Sequence, residues 1–214
     1  MIRRITRVAG LAVAALALAG TAAAQDTATP AARASTAAQT TATKWVVDLV
    51  HSQVEFRVHH LLGRVRGSFT RWYGVIATPS EDWTNGTVKV RVQTASINTG
   101  NAYRDADLRS PRFLNSDSFP VMIFEGRGIV ATDSTVAIAG TLTLRGVSRH
   151  VVLRGRFDGR GRDLEGKQRI AFDATTAVNR RDFGITYSDM VEGTKVVGDE
   201  IEITIALEAV RATP

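Results

Sequence analysis

Over most of the span from Val54 to Ala209 the apolar residues recur at every second position. The C-terminal run is the clearest case. Ile201, Ile203, Ile205, Leu207 and Ala209 share one parity, while Glu200, Glu202, Thr204 and Glu208 take the other. Successive side chains of a strand point to opposite faces, so this run reads as a strand with one face in a core and one in water. Val88, Val90 and Val92 alternate with Lys89, Arg91 and Gln93, and Val54, Phe56 and Val58 alternate with Glu55, Arg57 and His59. The pattern predicts eight strands, near residues 45–59, 64–77, 87–97, 121–131, 135–144, 147–157, 168–178 and 199–210. Turn signals separate them: Asn85-Gly86, Arg145-Gly146, and a Gly-rich stretch from Asp158-Gly159 to Gly166. Antiparallel strands with one apolar face each either stack as a sandwich or close into a barrel. The length of the strands and a single helical insertion able to cover one end favour the barrel. The expected fold is all-β: an elongated, eight-stranded antiparallel barrel whose interior can hold a small ligand.

The insertion is Thr99 to Asn115, where alternation lapses and Tyr103, Asp107 and Leu108 have helical spacing. Ser110-Pro111 reads as an N-cap followed by a first-turn proline, so one or two short helices are expected outside the sheet. The chain starts differently. Arg3, Arg4 and Arg7 precede a short apolar run from Val8 to Gly20 that ends in Ala22-Ala23-Ala24. This has the layout of a cleavable secretory signal over residues 1–24, too short to span a bilayer. Export to the periplasm follows as an expectation. Residues 25–43 are rich in Ala and Thr with almost no large apolar side chain, which predicts a flexible linker to a single domain over 44–211.

Composition removes several function classes. There is no cysteine, which excludes disulfides, thiol redox chemistry and thiolate metal sites. Lys and Arg total 27 against 21 Asp and Glu, and three of the arginines belong to the first seven residues. The remaining charges are mixed rather than gathered into a basic stripe, so no nucleic-acid partner is expected. Asp182-Phe183-Gly184 lacks every other kinase element, Gly126-Arg127-Gly128 lacks the third glycine of a dinucleotide loop, and no G-x-S-x-G is present. No catalytic constellation is recognisable. Of the four histidines, His51 and His59 would lie about 26 Å apart on an unbroken strand and so could share no metal unless the strand breaks. No metal site is expected. By parity with Val54, Phe56 and Val58, His60 points inward and His59 outward. Arg104 and Asp105 read either as a solvated helix face or as charges at a barrel mouth, and Arg180, Arg181 and Asp182 as solvated turn residues.

Several stretches together resemble YceI-like proteins: Trp45-Val46-Val47-Asp48, His51-Ser52-x-Val54-x-Phe56-x-Val58-x-His60, Gly67-Ser68-Phe69, Arg104-Asp105-x-x-Leu108, Phe113, Phe119-Pro120, Phe124, Gly140-x-Leu142-x-Leu144-Arg145-Gly146-Val147 and Asn179-Arg180-x-Asp182-Phe183-Gly184. The resemblance implies a lipocalin-like barrel, secreted and mostly periplasmic, that holds a polyisoprenoid chain of prenyl or quinone type. It implies no cofactor beyond such a bound lipid and no catalytic residue. Inward parity assigns the ligand lining to Phe56, Val58, Phe69, Leu142, Leu144, Leu153, Phe172, Ile201, Ile203 and Ile205. Family position and chemistry assign the head-group end to His60, Arg104 and Asp105. Small inward residues, Gly67, Gly140 and Ala174, favour free space in the bore. Phe69 and Trp72 cannot both face inward without a bulge. The rival readings are an enzyme acting on an isoprenoid or other lipid, a quinone-carrying redox partner, and a ligand-free stress or interaction module with a solid barrel. A homodimer is compatible with the sequence, and the mature protein needs no membrane span.

Overall fold

The computed structural model describes residues 42–79, 85–132 and 134–213. The leader at 1–24 and nearly all of the 25–43 linker lie outside the described residues. Strands β1 (Thr43–Val47), β2 (Gln53–His60), β3 (Gly63–Phe69), β4 (Trp72–Thr78), β5 (Thr87–Gln93) and β6 (Ile97–Asn98) precede helix α1 (Ala102–Arg109). They are followed by β7 (Val121–Thr132), β8 (Thr135–Leu144), β9 (Val147–Arg162), β10 (Gln168–Asn179), the small hairpin β11 (Met190–Val191) and β12 (Thr194–Lys195), and β13 (Val197–Arg211). All pairings are antiparallel. The order β1-β4-β5-β7-β8-β9-β10-β13 closes when β13 returns to β1, with Val47 opposite Ala209. The result is a closed eight-stranded barrel with one short helix. The other half of β13 carries β2, then β3 and β6, with Ile203 opposite Phe56 and Ile201 opposite Val58. Among the described residues no helix is long and apolar enough to cross a membrane.

Two of the expected strands are bent rather than continuous. The run 45–59 breaks between β1 and β2, where the Asp48 carboxylate accepts from Val50 N and lies 2.9 Å from the His51 ring. Ser52 bridges the gap. Its hydroxyl donates to the Glu208 carbonyl and accepts from the Glu208 N–H, taking the place of a strand partner for β13. The run 64–77 breaks at Thr70-Arg71. There Ser96 supplies the partners: its carbonyl accepts from Thr70 N and its hydroxyl accepts from Arg71 N. This break resolves the conflict between Phe69 and Trp72, which are both buried. At the β8–β9 connection Arg145 and Gly146 both have positive φ, +51° and +73°, the geometry of a tight two-residue hairpin turn.

One half of the bore is solid. Ile76 and Ala209 are fully buried, Ile138 and Ile170 are 1% exposed, and Trp45, Val88, Leu153, Phe172 and Leu207 close the gaps between them. The expectation that small inward residues mark free space fails at Gly67 and Gly140. A Cβ on Gly67 would fall 2.5 Å from the Phe56 ring and one on Gly140 would fall 2.6 Å from the Phe124 ring. Both glycines make room for aromatic rings from the neighbouring strand, and Ala174 is itself buried.

Arg169 ties the seam together on the outside. It donates to Asp48 at 2.7 Å, Glu208 at 2.6 Å and Asp163 at 2.9 Å. Hydrogen bonds from His51 and then Arg169 hold the Asp48 carboxyl far below the ordinary carboxylate range, and Arg169 lowers that of Asp163. A carboxyl depressed in the folded state stabilises fully above its unfolded pKa, and loses that contribution as pH falls through its folded value. The melting temperature is therefore expected to owe nothing further to these groups above about pH 5 and to fall steadily as pH drops below about 4. Asp48→Asn should lower the melting temperature at neutral pH and flatten the acid decline when both proteins are followed by circular dichroism. An unchanged acid decline would place its origin elsewhere.

Candidate functional site

The other half of the barrel is hollow. A cavity of about 120 Å³ lies among Val54, Phe56 and Val58 of β2, Phe69 of β3, Met122 of β7, Leu142 and Leu144 of β8, Val178 of β10, and Val197, Ile201 and Ile203 of β13. Its accessible lining is wholly apolar. An engineered apolar cavity of ~150 Å³ stays dry and takes a benzene ring, so a space of this kind favours a hydrocarbon over water.

The rest of the wall comes from the segment between β6 and β7 and from the loop after β10. Leu108 reaches in from α1, Phe113 and Leu114 from the turn behind it, and Ile185 from the loop. Asn101 caps α1 by accepting from Arg104 N at 3.1 Å. Ser110 ends this helix instead of starting one. A residue before proline is pushed to extended backbone, and Ser110 sits at φ −66°, ψ 167°. The chain then turns, with Leu114 N donating to the Leu108 carbonyl. Arg145, from the β8–β9 turn, donates to the carbonyls of Pro111 and Phe113. Arg112 lies 4.7 Å from the Tyr187 ring centre, and Phe113 packs on the same ring at 5.0 Å. These contacts clasp the lid to the loop opposite.

Of the ten residues assigned to the lining, Phe56, Val58, Phe69, Leu142, Leu144, Ile201 and Ile203 are on this wall. Leu153 and Phe172 face inward within the solid half, and Ile205 is half-buried beyond the wall, packed against the core. None of the three head-group candidates lines the cavity. Asp105 is buried, and its carboxylate accepts from Thr99 N at 2.9 Å and from the Thr99 hydroxyl at 2.6 Å. Arg104 donates to the same hydroxyl and to the Thr99 carbonyl. The pair anchors α1 to the end of β6. His60 ends β2, half-buried opposite Val197 and Gly63.

The buried charge on the wall is Arg180, expected from the sequence to be a solvated turn residue. It is 2% exposed. It follows β10 in a 3-10 turn capped by Asn179 and ended by Gly184 at φ +73°. Its guanidinium donates to the carbonyls of Gly198 (2.8 Å), Ile185 (2.8 Å) and Val197 (3.2 Å), and to the Asp199 carboxylate at 2.9 Å. Burial presses its pKa down and the Asp199 charge opposes that shift. Asp199 also binds Lys195 and Arg181, which hold its own carboxyl down to about 2. Arg180 thus joins the loop to β13 at the cavity wall. The signal in the sequence was its place in the Asn179-Arg180-x-Asp182-Phe183-Gly184 stretch.

Asp48, His51 and Glu208 come within 4.8 Å of one another, an arrangement able to hold a metal ion. The cation in contact with both carboxylates is the Arg169 guanidinium.

Similarities to known proteins follow the same outline. A UPF0312 protein of Serratia proteamaculans is 34% identical over 163 residues, covering 76% of this chain and 82% of the relative. One from Azotobacter vinelandii is 34% identical over 179 residues, with 82% and 91% covered. The structure of the Campylobacter jejuni YceI protein superposes with a TM-score of 0.62 at 28% identity, over 72% of this chain and 90% of that one. A polyisoprenoid binding domain from Saccharophagus degradans, implicated in plant cell wall breakdown, shares the fold at 15% identity and a TM-score of 0.61, over 78% and 98%. The family described as YceI-like domain matches residues 45–209, from the third residue of β1 almost to the end of β13. Across that span, in sequence and in fold, the chain belongs to the YceI-like family.

Proposed function

We propose that this domain binds an isoprenoid chain, the tail of a prenyl alcohol or a quinone-type lipid, in the hollow half of its barrel. In this reading it acts in the periplasm after export on its leader, as a carrier or store. The observation that carries the reading is the cavity with a wholly apolar accessible lining under the segment that carries Leu108, Phe113 and Leu114. A methyl-branched chain placed there gains about 25 cal/mol for each Å² it buries, before the costs of association. Leu, Ile and Val side chains suit its branched profile, and few polar contacts are needed. The fold shared with the Saccharophagus degradans domain adds support, as a likeness of architecture.

The test is competition between prenols and an apolar fluorescent probe on the purified domain. Saturable, one-to-one displacement is expected. Leu144→Trp and Ile203→Trp each drive an indole into the cavity and should weaken binding about tenfold or more while the fold persists by circular dichroism. Unchanged affinity in both folded variants would put the ligand elsewhere.

A further inference from the structure

The hairpin of β2 and β3 ends in a turn that does not serve the fold. The two strands pair as far as His60 opposite Gly63, which leaves Leu61-Leu62 as the whole of the turn. Leu61 holds a positive φ of +49°, a conformation that costs a leucine more than a glycine. Leu62 is 96% exposed. Pairs such as Asn-Gly make turns of this length at less cost. Arg145-Gly146 and Glu192-Gly193, the turns of β8–β9 and β11–β12, do contain glycine. An isolated exposed leucine is ordinary, but this one has uncommon neighbours.

The ten residues from Arg57 to Arg66 include three arginines and two histidines and no acid. Arg57 stands opposite Arg66 and His59 opposite Arg64, so the four share the outer face of the hairpin. Like charges placed opposite each other weaken a strand pair, so Arg57 against Arg66 opposes the fold rather than supporting it. Glu202 of β13 takes up Arg57. Arg64 and Arg66 are exposed, and neither forms a salt bridge among the described residues. Leu164, at the turn between β9 and β10, is as exposed as Leu62 but sits between Asp163 and Glu165. The cationic hairpin springs from the cavity wall. Val58 pairs with Ile201 and His60 with Val197, and Val58, Ile201 and Val197 all line the cavity. Leu61 N donates to the Val196 carbonyl at 3.1 Å, which seats the turn beside the β11–β12 hairpin, where Met190 and Val191 are exposed. That hairpin carries Glu192 at its turn, so the cationic side of the rim is the β2–β3 side.

We infer that the β2–β3 turn docks the barrel on an anionic lipid surface, with Leu62 entering the boundary between headgroups and acyl chains and Arg64 on the lipid phosphates. The heights agree. The polar zone of a bilayer is about 5–7 Å deep on each side. At ~3.3 Å per residue Arg64 lies ~7 Å from Leu62 along the strand, and Arg66 ~13 Å. Arg66 then acts from above the surface, within one Debye length of about 10 Å. Docking by this turn directs the hollow half of the barrel, rather than the solid half, toward the lipid. The inference stands on the hairpin and does not depend on which ligand the cavity takes.

The experiment is flotation of the purified domain with prenol-free vesicles of phosphatidylglycerol and phosphatidylcholine in equal parts, compared with phosphatidylcholine alone. At low salt the anionic vesicles are expected to bind about tenfold or more tightly, and the difference should collapse at about 1 M salt. Leu62→Asn should weaken this binding about tenfold and Arg64→Gln about fivefold, while Leu164→Asn leaves it unchanged. Leu62→Trp should shift its emission to the blue on the anionic vesicles only. These side chains are exposed and lie outside the cavity, so circular dichroism and prenol displacement in solution should match the wild type. A wild type that does not float with anionic vesicles, or that floats no better than Leu62→Asn, would overturn the inference. So would a dimer in sedimentation that Leu62→Asn dissociates, since it would assign the tip to a second copy of the chain. Vesicle binding without displacement by any prenol would defeat the isoprenoid reading and not this one.

Discussion

Arg180→Ala is expected to destabilise the barrel by about 3–5 kcal/mol, the range for breaking a buried, hydrogen-bonded ion pair. The guanidinium serves three backbone carbonyls and Asp199 from a site that is 2% exposed. Truncation strands those acceptors at the cavity wall, and each stranded buried acceptor costs about 1–3 kcal/mol. It also leaves Asp199 with only its outer partners, Arg181 and Lys195. Lysine preserves the charge but not the planar fork that reaches several carbonyls at once, so Arg180→Lys should recover only part of the loss. Urea denaturation of the three proteins, compared by midpoint and slope, measures this. A loss below about 1 kcal/mol for the alanine variant would mean that water replaces the guanidinium.

Gly155→Ala is the second large effect. A Cβ there would fall 1.8 Å from the Asp173 carbonyl oxygen and 2.6 Å from the Ala174 Cα. Both are backbone atoms of β10, so no rotamer change relieves the clash. The strands must part beside a ladder that is already irregular between Ala171 and Phe172. Overpacking of this kind costs about 1–3 kcal/mol and sometimes more, and contact with backbone atoms alone places Gly155 at the upper end. Gly161 is the control on the same strand. Its Cβ would meet nothing within 4 Å, so Gly161→Ala should change stability by no more than about 0.5 kcal/mol. Equal effects at the two positions would show that the close approach of β9 and β10 at Gly155 is not the source of the cost.

The extent to which these features were legible in the sequence depends on their range. Alternation is local, and it located β7, β8 and β13 to within a residue or two: 121–131, 135–144 and 199–210 against Val121–Thr132, Thr135–Leu144 and Val197–Arg211. The bends were present as flips of parity. Trp45 and Val47 are buried at odd positions and Val54 at an even one, and Phe69 and Trp72 show the same change. What supports the bends, Ser52 on Glu208 and Ser96 on Arg71, pairs residues far apart in the sequence and leaves no local mark. Parity also gives the face of a residue but not its depth. Leu153 and Phe172 are inward yet belong to the solid half, because depth depends on register around the whole ring.

Polar residues were harder still. Arg104 and Asp105 look like free charges on a helix until Thr99 folds back to receive both. Arg180 looks like a turn residue until the start of β13 brings two carbonyls and Asp199 to it. The glycines misled for a related reason. A small residue signals space only when no neighbour fills it, and Phe56 and Phe124 fill the space over Gly67 and Gly140.

The central claim, that the hollow half of the barrel holds an isoprenoid, is tested most directly by native mass spectrometry of the protein purified without detergent from cells that naturally make it. One adduct per barrel is expected, released by organic solvent, identified as an isoprenoid, and missing from the folded Ile203→Trp variant. A folded wild-type protein that carries no adduct and takes up no prenol when prenols are supplied would contradict the claim.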